Sequence, residues 1–221
     1  MGGDAPAVSI IIPAKDEEDY LPATLASVSK LRSGPAFEVI VVDGRSEDAT
    51  PVIAREWGAR LVDGCGDGIG ADRNRGAQIA RGEWLAFLDA DTIVDHAWLD
   101  ELYRFVKDRD LGAASSRCRM PGIRARLMAA TINHVFSRLT CPILPGFNFW
   151  IERSLFDTLG GFPEVPNEDT ALSRRIDPGV GVAYHSRELV VHSPRRITAS
   201  GLSGTVYHYA RLDVQRLRTD Y

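Results

Sequence analysis

The apolar residues of this chain alternate between two periods. Short unbroken runs rich in Val and Ile read as strands buried on both faces, and segments with apolar residues three or four apart read as one-faced helices. AVSIIIPA (7–14) predicts a strand ending near Pro13, and EEDYLPATLASVSKL follows with Leu21, Leu25 and Val28 at helical spacing. FEVIVVD predicts a second buried strand ending at Asp43. SEDATPVIAREWG predicts a helix capped by Ser46 and stopped at Gly58. ARLVD is a third strand, followed by a glycine-rich loop, helical ADRNRGAQIARG, the strand WLAFLDAD and helical HAWLDELYRFVKD. Strand and helix in regular alternation predict an α/β fold, a Rossmann-like three-layer domain with a mostly parallel sheet. Such sheets bind ligands beyond the carboxyl ends of their strands.

The pattern loosens after about residue 110. LGAASSRCRM predicts a strand and GIRARLMAATINHVFSRLT a helix with a mixed apolar and basic face. GFNFWIERSLFDTLGGF reads as a strand entering a short helix closed by Gly160 and Gly161, NEDTALSRRI as a loop entering a helix, and GVAYHSRELVVHS as one or two strands. With no linker, repeat or low-complexity segment, the expectation is one domain over 1–221. It divides into a nucleotide-binding half (about 7–110), an acceptor half (about 111–200) and an amphipathic C-terminal helix (201–221).

Composition narrows the function classes. The net charge of −4 over 221 residues lacks the basic surplus of a nucleic-acid binder. No run reaches the roughly 18 apolar residues of a membrane span. MGGDAPAVSI has neither the basic region nor the apolar core of an export signal. Cys65, Cys118 and Cys141 are scattered and odd in number, giving no disulfide framework or metal spacing. A cytoplasmic location is expected.

The chemistry gathers at the predicted strand ends, where Asp16 and Glu17 follow the first strand, Asp43 the second, and Asp89 and Asp91 the fourth. A turn just past the fourth strand lets Asp89 and Asp91 converge on one Mg²⁺ or Mn²⁺, since hard cations take carboxylate oxygens. The alternative is that Asp91 caps the next helix and Asp89 bonds a loop amide. GDGIGA (66–71) fits a dinucleotide-binding fingerprint, but it follows the third strand where that motif belongs after the first.

Four segments in order, VSIIIPAKDEEDYLPATLASV, EVIVVDGRSEDAT, ADRNRGAQIARGEWLAFLDADT, and GGFPE followed by EDTALSRR, resemble the family 2 glycosyltransferases of the GT-A fold. The resemblance covers about Val8 to Arg196. It implies that Asp43 contacts a nucleotide base and that Asp89–Ala90–Asp91 holds a divalent ion on the diphosphate of a nucleotide-sugar. Glu168 and Asp169 then supply the catalytic base, with Asp169 the candidate and Glu168 orienting the loop or binding the sugar. Pro13, Ala14 and Glu17 match the first nucleotide-binding loop, and Asn148 lies in a segment lining the acceptor side. Arg73 either pairs with the diphosphate or is a solvated helix arginine. The five histidines form no ligand cluster in the sequence, and the metal set is Asp89 and Asp91 alone, with His192, beside the late strands, the one histidine that could approach it. Arg195 and Arg196 suit phosphate, because guanidinium groups bond it bidentately.

Two features depart from the family. VDGRS places Gly44–Arg45 where Asp-Gly or Gly-Gly is commoner, and Arg45 either covers the base or faces water. SPRRITASG replaces the Q-x-x-R-W motif of processive polysaccharide synthases, which favours transfer of one sugar, with inversion. The resemblance further implies an acceptor such as a polyprenyl phosphate or a lipid-linked glycan. Two apolar-basic segments, 122–140 and 201–221, fit peripheral contact with the inner face of the cell membrane, or subunit contact in a homo-oligomer. Two rivals are a sugar nucleotidyltransferase, which wants a glycine-rich loop after the first strand, and a non-catalytic nucleotide-sugar-binding module.

Overall fold

A computed structural model describes residues 5–31 and 34–195. Arg196 and the predicted C-terminal helix lie outside the described residues. Eight strands form one sheet: β1 (Val8–Ala14), β2 (Phe37–Asp43), β3 (Arg60–Asp63), β4 (Trp84–Phe87), β5 (Thr92–Val94), β6 (Ala113–Arg119), β7 (Phe149–Glu152) and β8 (Val182–His192). Their order is β3-β2-β1-β4-β7-β6-β8-β5. The pairings β1–β2, β1–β4, β2–β3 and β6–β8 are parallel; β4–β7, β6–β7 and β5–β8 are antiparallel. The sheet is thus parallel through its first half and mixed beyond β4.

Among the described residues seven α-helices flank it: α1 (Leu21–Val28), α2 (Thr50–Glu56), α3 (Ile69–Ile79), α4 (Trp98–Asp108), α5 (Ile123–His134), α6 (Arg153–Thr158) and α7 (Glu168–Arg175). The strand period of two divides the core. Ile10 and Ile12 face one side, packing with Leu21 and Leu25 of α1 and Trp98 and Leu102 of α4. Ile11 faces the other side with Ala77 of α3, Phe156 of α6 and Leu172 of α7. Both faces are covered, which is why β1 and β4 read as unbroken apolar runs. The three-layer expectation holds.

Several local expectations shift. Ser46 does not cap α2. Its hydroxyl accepts the Asp16 N–H at 2.9 Å, and Asp48 Oδ1 accepts the Thr50 N–H instead. Asp91 does not cap α4, since Asp95 stands before that helix and accepts the Ala97 N–H at 2.9 Å. β5 was not expected, because its three residues carry no apolar run of their own. It exists through pairing with β8, which sets Thr92 opposite His192.

Candidate active site

Four strand ends and one helix start converge. β1 ends in Pro13 and Ala14, both buried and in register with Val42 and Asp43 of β2. The Gly44 N–H closes onto the Ala14 carbonyl at 2.8 Å. Asp43 accepts the Ser46 N–H at 3.3 Å, shaping the turn beyond β2. The glycine-rich loop wraps on its own acid: Asp72 accepts the Cys65 N–H at 3.1 Å. A carboxylate therefore occupies the position where a dinucleotide fingerprint would admit a pyrophosphate.

Beyond β4 the chain turns through Asp89, Ala90 and Asp91, with the Thr92 N–H returning to the Asp89 carbonyl at 3.1 Å. The Thr24 hydroxyl fixes Ala90 by donating to its carbonyl at 2.7 Å. The register of β5 with β8 then brings His192 against this turn. Its Nδ1 lies 2.9 Å from Thr92 Oγ1 and 3.4 Å from Asp91 Oδ1, and its ring stacks on Phe147 at 4.3 Å. One ligand atom from each of Asp89, Asp91 and His192 fits within 4.8 Å of the others. Two hard carboxylates with one imidazole form a donor set that suits a divalent ion such as Mn²⁺. The residues fit the cation that the sequence implies.

Two arginines bind the acids together. Arg73, on α3, is 2% exposed, which removes the solvated-arginine alternative. Its Nη2 donates to Asp89 Oδ1 at 2.7 Å, its Nη1 to Glu168 Oε1, and its guanidinium lies 5.3 Å from the Phe162 ring centre. Gly146 permits this, since a Cβ there would stand 2.4 Å from Arg73 Nη2. Arg195 makes a forked contact with Glu17, one arm at 2.7 Å, while its Nε meets Asp91 Oδ2 at 2.8 Å. The Tyr20 ring lies 5.0 Å from this second guanidinium. Tyr20 and Phe162 carried no sequence signal as site residues, because their part is to lie against guanidinium groups brought from distant segments.

Glu168 and Asp169 open α7 after Asn167, whose φ of 55° turns the chain sharply. Asp169 accepts the Gly146 N–H at 2.9 Å, tying α7 to the loop before β7. Burial pushes the Glu168 carboxyl above its ordinary value, and Arg73 only partly offsets this. Burial likewise raises Asp91, against His192 and Arg195, and Glu17, against Arg195. Asn148 departs from expectation. It is fully buried, accepting from Trp98 Nε1 at 3.0 Å and donating to Ser116 Oγ at 2.9 Å. Its amide is engaged by core groups and is not exposed to solvent.

Residues 9–160 match the family model described as Glycosyl transferase family 2. A PGL/p-HBAD biosynthesis glycosyltransferase of Mycobacterium bovis is 40% identical over 93 residues, 39% of this chain and 36% of that protein. Among solved structures, the mannosyltransferase PcManGT from Pyrobaculum calidifontis, in complex with GDP-Man and Mn²⁺, superposes with a TM-score of 0.75 at 24% identity. That alignment covers 94% of this chain and 64% of that one. S. aureus TarS 1–349 with UDP-GlcNAc gives 0.72 at 20% identity, covering 84% and 58%. These likenesses show the same fold. The chain spans 17% to 36% of the length of the curated relatives it matches first.

Proposed function

Because the chain belongs to glycosyl transferase family 2, we propose that it moves one sugar from a UDP- or GDP-sugar to an acceptor hydroxyl or phosphate, with inversion. The observation that carries this reading is the convergence of Asp89, Asp91 and His192, joined through Arg73 to Glu168, the chain neighbour of Asp169. One cluster thereby holds both a cation-binding set and a candidate base. The UDP-GlcNAc and GDP-Man complexes of fold neighbours support a nucleotide-sugar donor.

In this reading Asp43, with the main chain of Pro13 and Ala14, receives the nucleoside. Asp89 and Asp91, assisted by His192, hold Mn²⁺ or Mg²⁺. A divalent ion, when bound, supplies Lewis-acid stabilisation of a diphosphate leaving group. Asp169 takes the proton from an acceptor hydroxyl. The acceptor oxygen bonds to the anomeric carbon as the bond from that carbon to the phosphate oxygen breaks, and the electron pair leaves with the nucleoside diphosphate. Attack opposite the leaving group inverts the anomeric centre. Arg73 holds Glu168 against Asp89, so the base-bearing turn keeps its place relative to the metal turn. Arg195 changes partner from Asp91 and Glu17 to donor or acceptor phosphate, with Arg196 as its neighbour. A lipid-linked acceptor, such as a polyprenyl phosphate, is the proposed class.

Thermal shift with UDP- and GDP-sugars, with and without Mn²⁺, tests the donor assignment. A donor at 100 times its dissociation constant stabilises by about 2.7 kcal/mol. Stabilisation is expected only when Mn²⁺ and a nucleotide-sugar are present together. Donor hydrolysis without acceptor then separates an enzyme from a binding module, and a screen with no nucleotide response refutes the reading.

A further inference from the structure

Helix α5 is mounted on the acceptor half with its orientation fixed from beneath. Ala125, Ala129 and Ile132 are buried. Asn133 clasps one residue of β6, donating to the Cys118 carbonyl at 2.8 Å and accepting the Cys118 N–H at 2.9 Å. The opposite face is unlike an ordinary surface helix. Ile123 is 84% exposed and Leu127 59%, with Val135 and Leu139 also exposed just beyond the helix. At about 100° per residue, Ile123 and Leu127 share one outward ridge, and Arg124 and Arg126 flank it on either side.

Along the chain, the segment that carries this ridge is basic, although Glu188 of β8 stands opposite Arg117 on the neighbouring strand. Residues 111–151 contain no Asp or Glu but include Arg117, Arg119, Arg124, Arg126 and Arg138, in a chain whose net charge is −4. A second copy meeting this face two-fold would set arginine against arginine, which opposes self-association here. An anionic lipid surface suits both features. Apolar side chains enter the acyl boundary while guanidinium groups stay at the headgroups. The face also leads toward the acceptor side: after α5 the chain continues to Gly146, whose N–H is bonded to Asp169.

We propose that the outward face of α5 docks the protein on a bilayer containing anionic phospholipid. The inference stands on the helix itself and not on the donor-site reading, and it would present the candidate base to a lipid-borne acceptor. Flotation of the full chain with vesicles of phosphatidylglycerol and phosphatidylcholine, against phosphatidylcholine alone, tests it. Binding to the anionic vesicles alone is expected, weakening as salt rises. The double variants Ile123→Asp/Leu127→Asp and Arg124→Glu/Arg126→Glu should each bind about tenfold less or weaker still. Their circular dichroism and their calorimetric response to Mn²⁺ with UDP or GDP should match the parent. Equal flotation with neutral and anionic vesicles overturns the proposal. So does parental flotation of both variants, which would assign vesicle binding to another segment such as 196–221. A dimer-to-monomer change in sedimentation of the variants would make a second copy the occupant and also overturn it. Failure of the donor reading shows separately, as a parent protein that binds neither nucleotide.

Discussion

At the amino-terminal ends of β1 and β2, Glu38 is surrounded by donors. Glu38 accepts the Ser9 hydroxyl at 2.7 Å, the Arg81 N–H at 2.6 Å and Arg81 Nε at 3.1 Å, and Arg60 stands 4.0 Å away. At the opposite, carboxyl ends, Glu17, Asp89, Asp91, Glu168 and Asp169 gather, among the described residues, around Arg73, Arg195 and the ring of His192. The net effect on the acids differs in sign. Glu38 lies below its ordinary value, whereas Glu17, Asp91 and Glu168 are raised by burial. An acid that steadies the fold is matched to its donors. A cluster whose carboxylates outnumber its cations is held against the folding preference, and such conflicts mark sites that receive a ligand. Under the proposed function a divalent ion would bring positive charge to this cluster.

Asp91→Ala should break the contrast most completely. It removes a proposed metal ligand, so UDP or GDP binding in Mn²⁺ should vanish in calorimetry, while Glu38→Gln should bind as the parent does. Equal nucleotide affinity in Asp91→Ala would show that the acid surplus serves something other than a cation. Asp169→Asn comes next and separates binding from chemistry. It keeps the size of the side chain and its bond from the Gly146 N–H, so donor affinity should hold. Turnover should fall by about 10² to 10⁴, the usual contribution of a general base. Parental turnover in that variant would shift the base to Glu168.

The two sheet ends were not equally legible in the sequence. β1, β2 and β4 are buried on both faces, so their residues carry the whole signal, and the acids after them could be placed by chain order alone. The acceptor side depends on distant pairings. His192 reaches Asp91 because β5 pairs with β8 across about a hundred residues, in a register that no local pattern of three residues declares. Arg73 sits on a helix with a mostly polar sequence and is buried because Gly146, from the loop before β7, leaves room for it. Asn148 looked like an acceptor-side polar group among aromatics. The same aromatics explain its actual place, since Trp98 carries an indole N–H that must be satisfied inside the core. Residues read from strand ends lie together in the fold, whereas the place of a residue such as Asn148 depends on which core group needs a partner.

Stability separates the two arginine settings. Arg73→Met leaves the half-buried Asp89 and Glu168 without their shared buried cation, and breaking such a network costs up to about 3–5 kcal/mol. Arg81→Met, at the other end, removes an exposed side chain from Glu38 but keeps the Arg81 backbone N–H bond. It should cost no more than about 1 kcal/mol. Urea unfolding of both variants at pH 7 measures the difference. Equal losses would mean that the two ends are electrostatically alike.

The smallest effect is the most specific about charge. Burial works to raise the Glu38 carboxyl, but bonds from the Ser9 hydroxyl and from Arg81 outweigh it and hold it below the ordinary 4.5. A carboxylate depressed on folding contributes stability that is complete above its unfolded value and is lost as the pH falls through its folded value. Glu38→Gln retains a carbonyl acceptor for the Arg81 N–H and deletes the charge. At pH 7 the variant should therefore be about 1 kcal/mol less stable than the parent, the scale of one hydrogen bond in the balance. That gap should narrow below pH 4.5 and close once the parent's carboxyl is protonated. Urea midpoints taken from pH 7 downward record it, and nucleotide binding at pH 7 should not move. A gap that stays constant into acid would assign the effect of Glu38 to packing. The matched acid at the amino-terminal end would then no longer be the electrostatic counterpart of the acid cluster at the carboxyl ends.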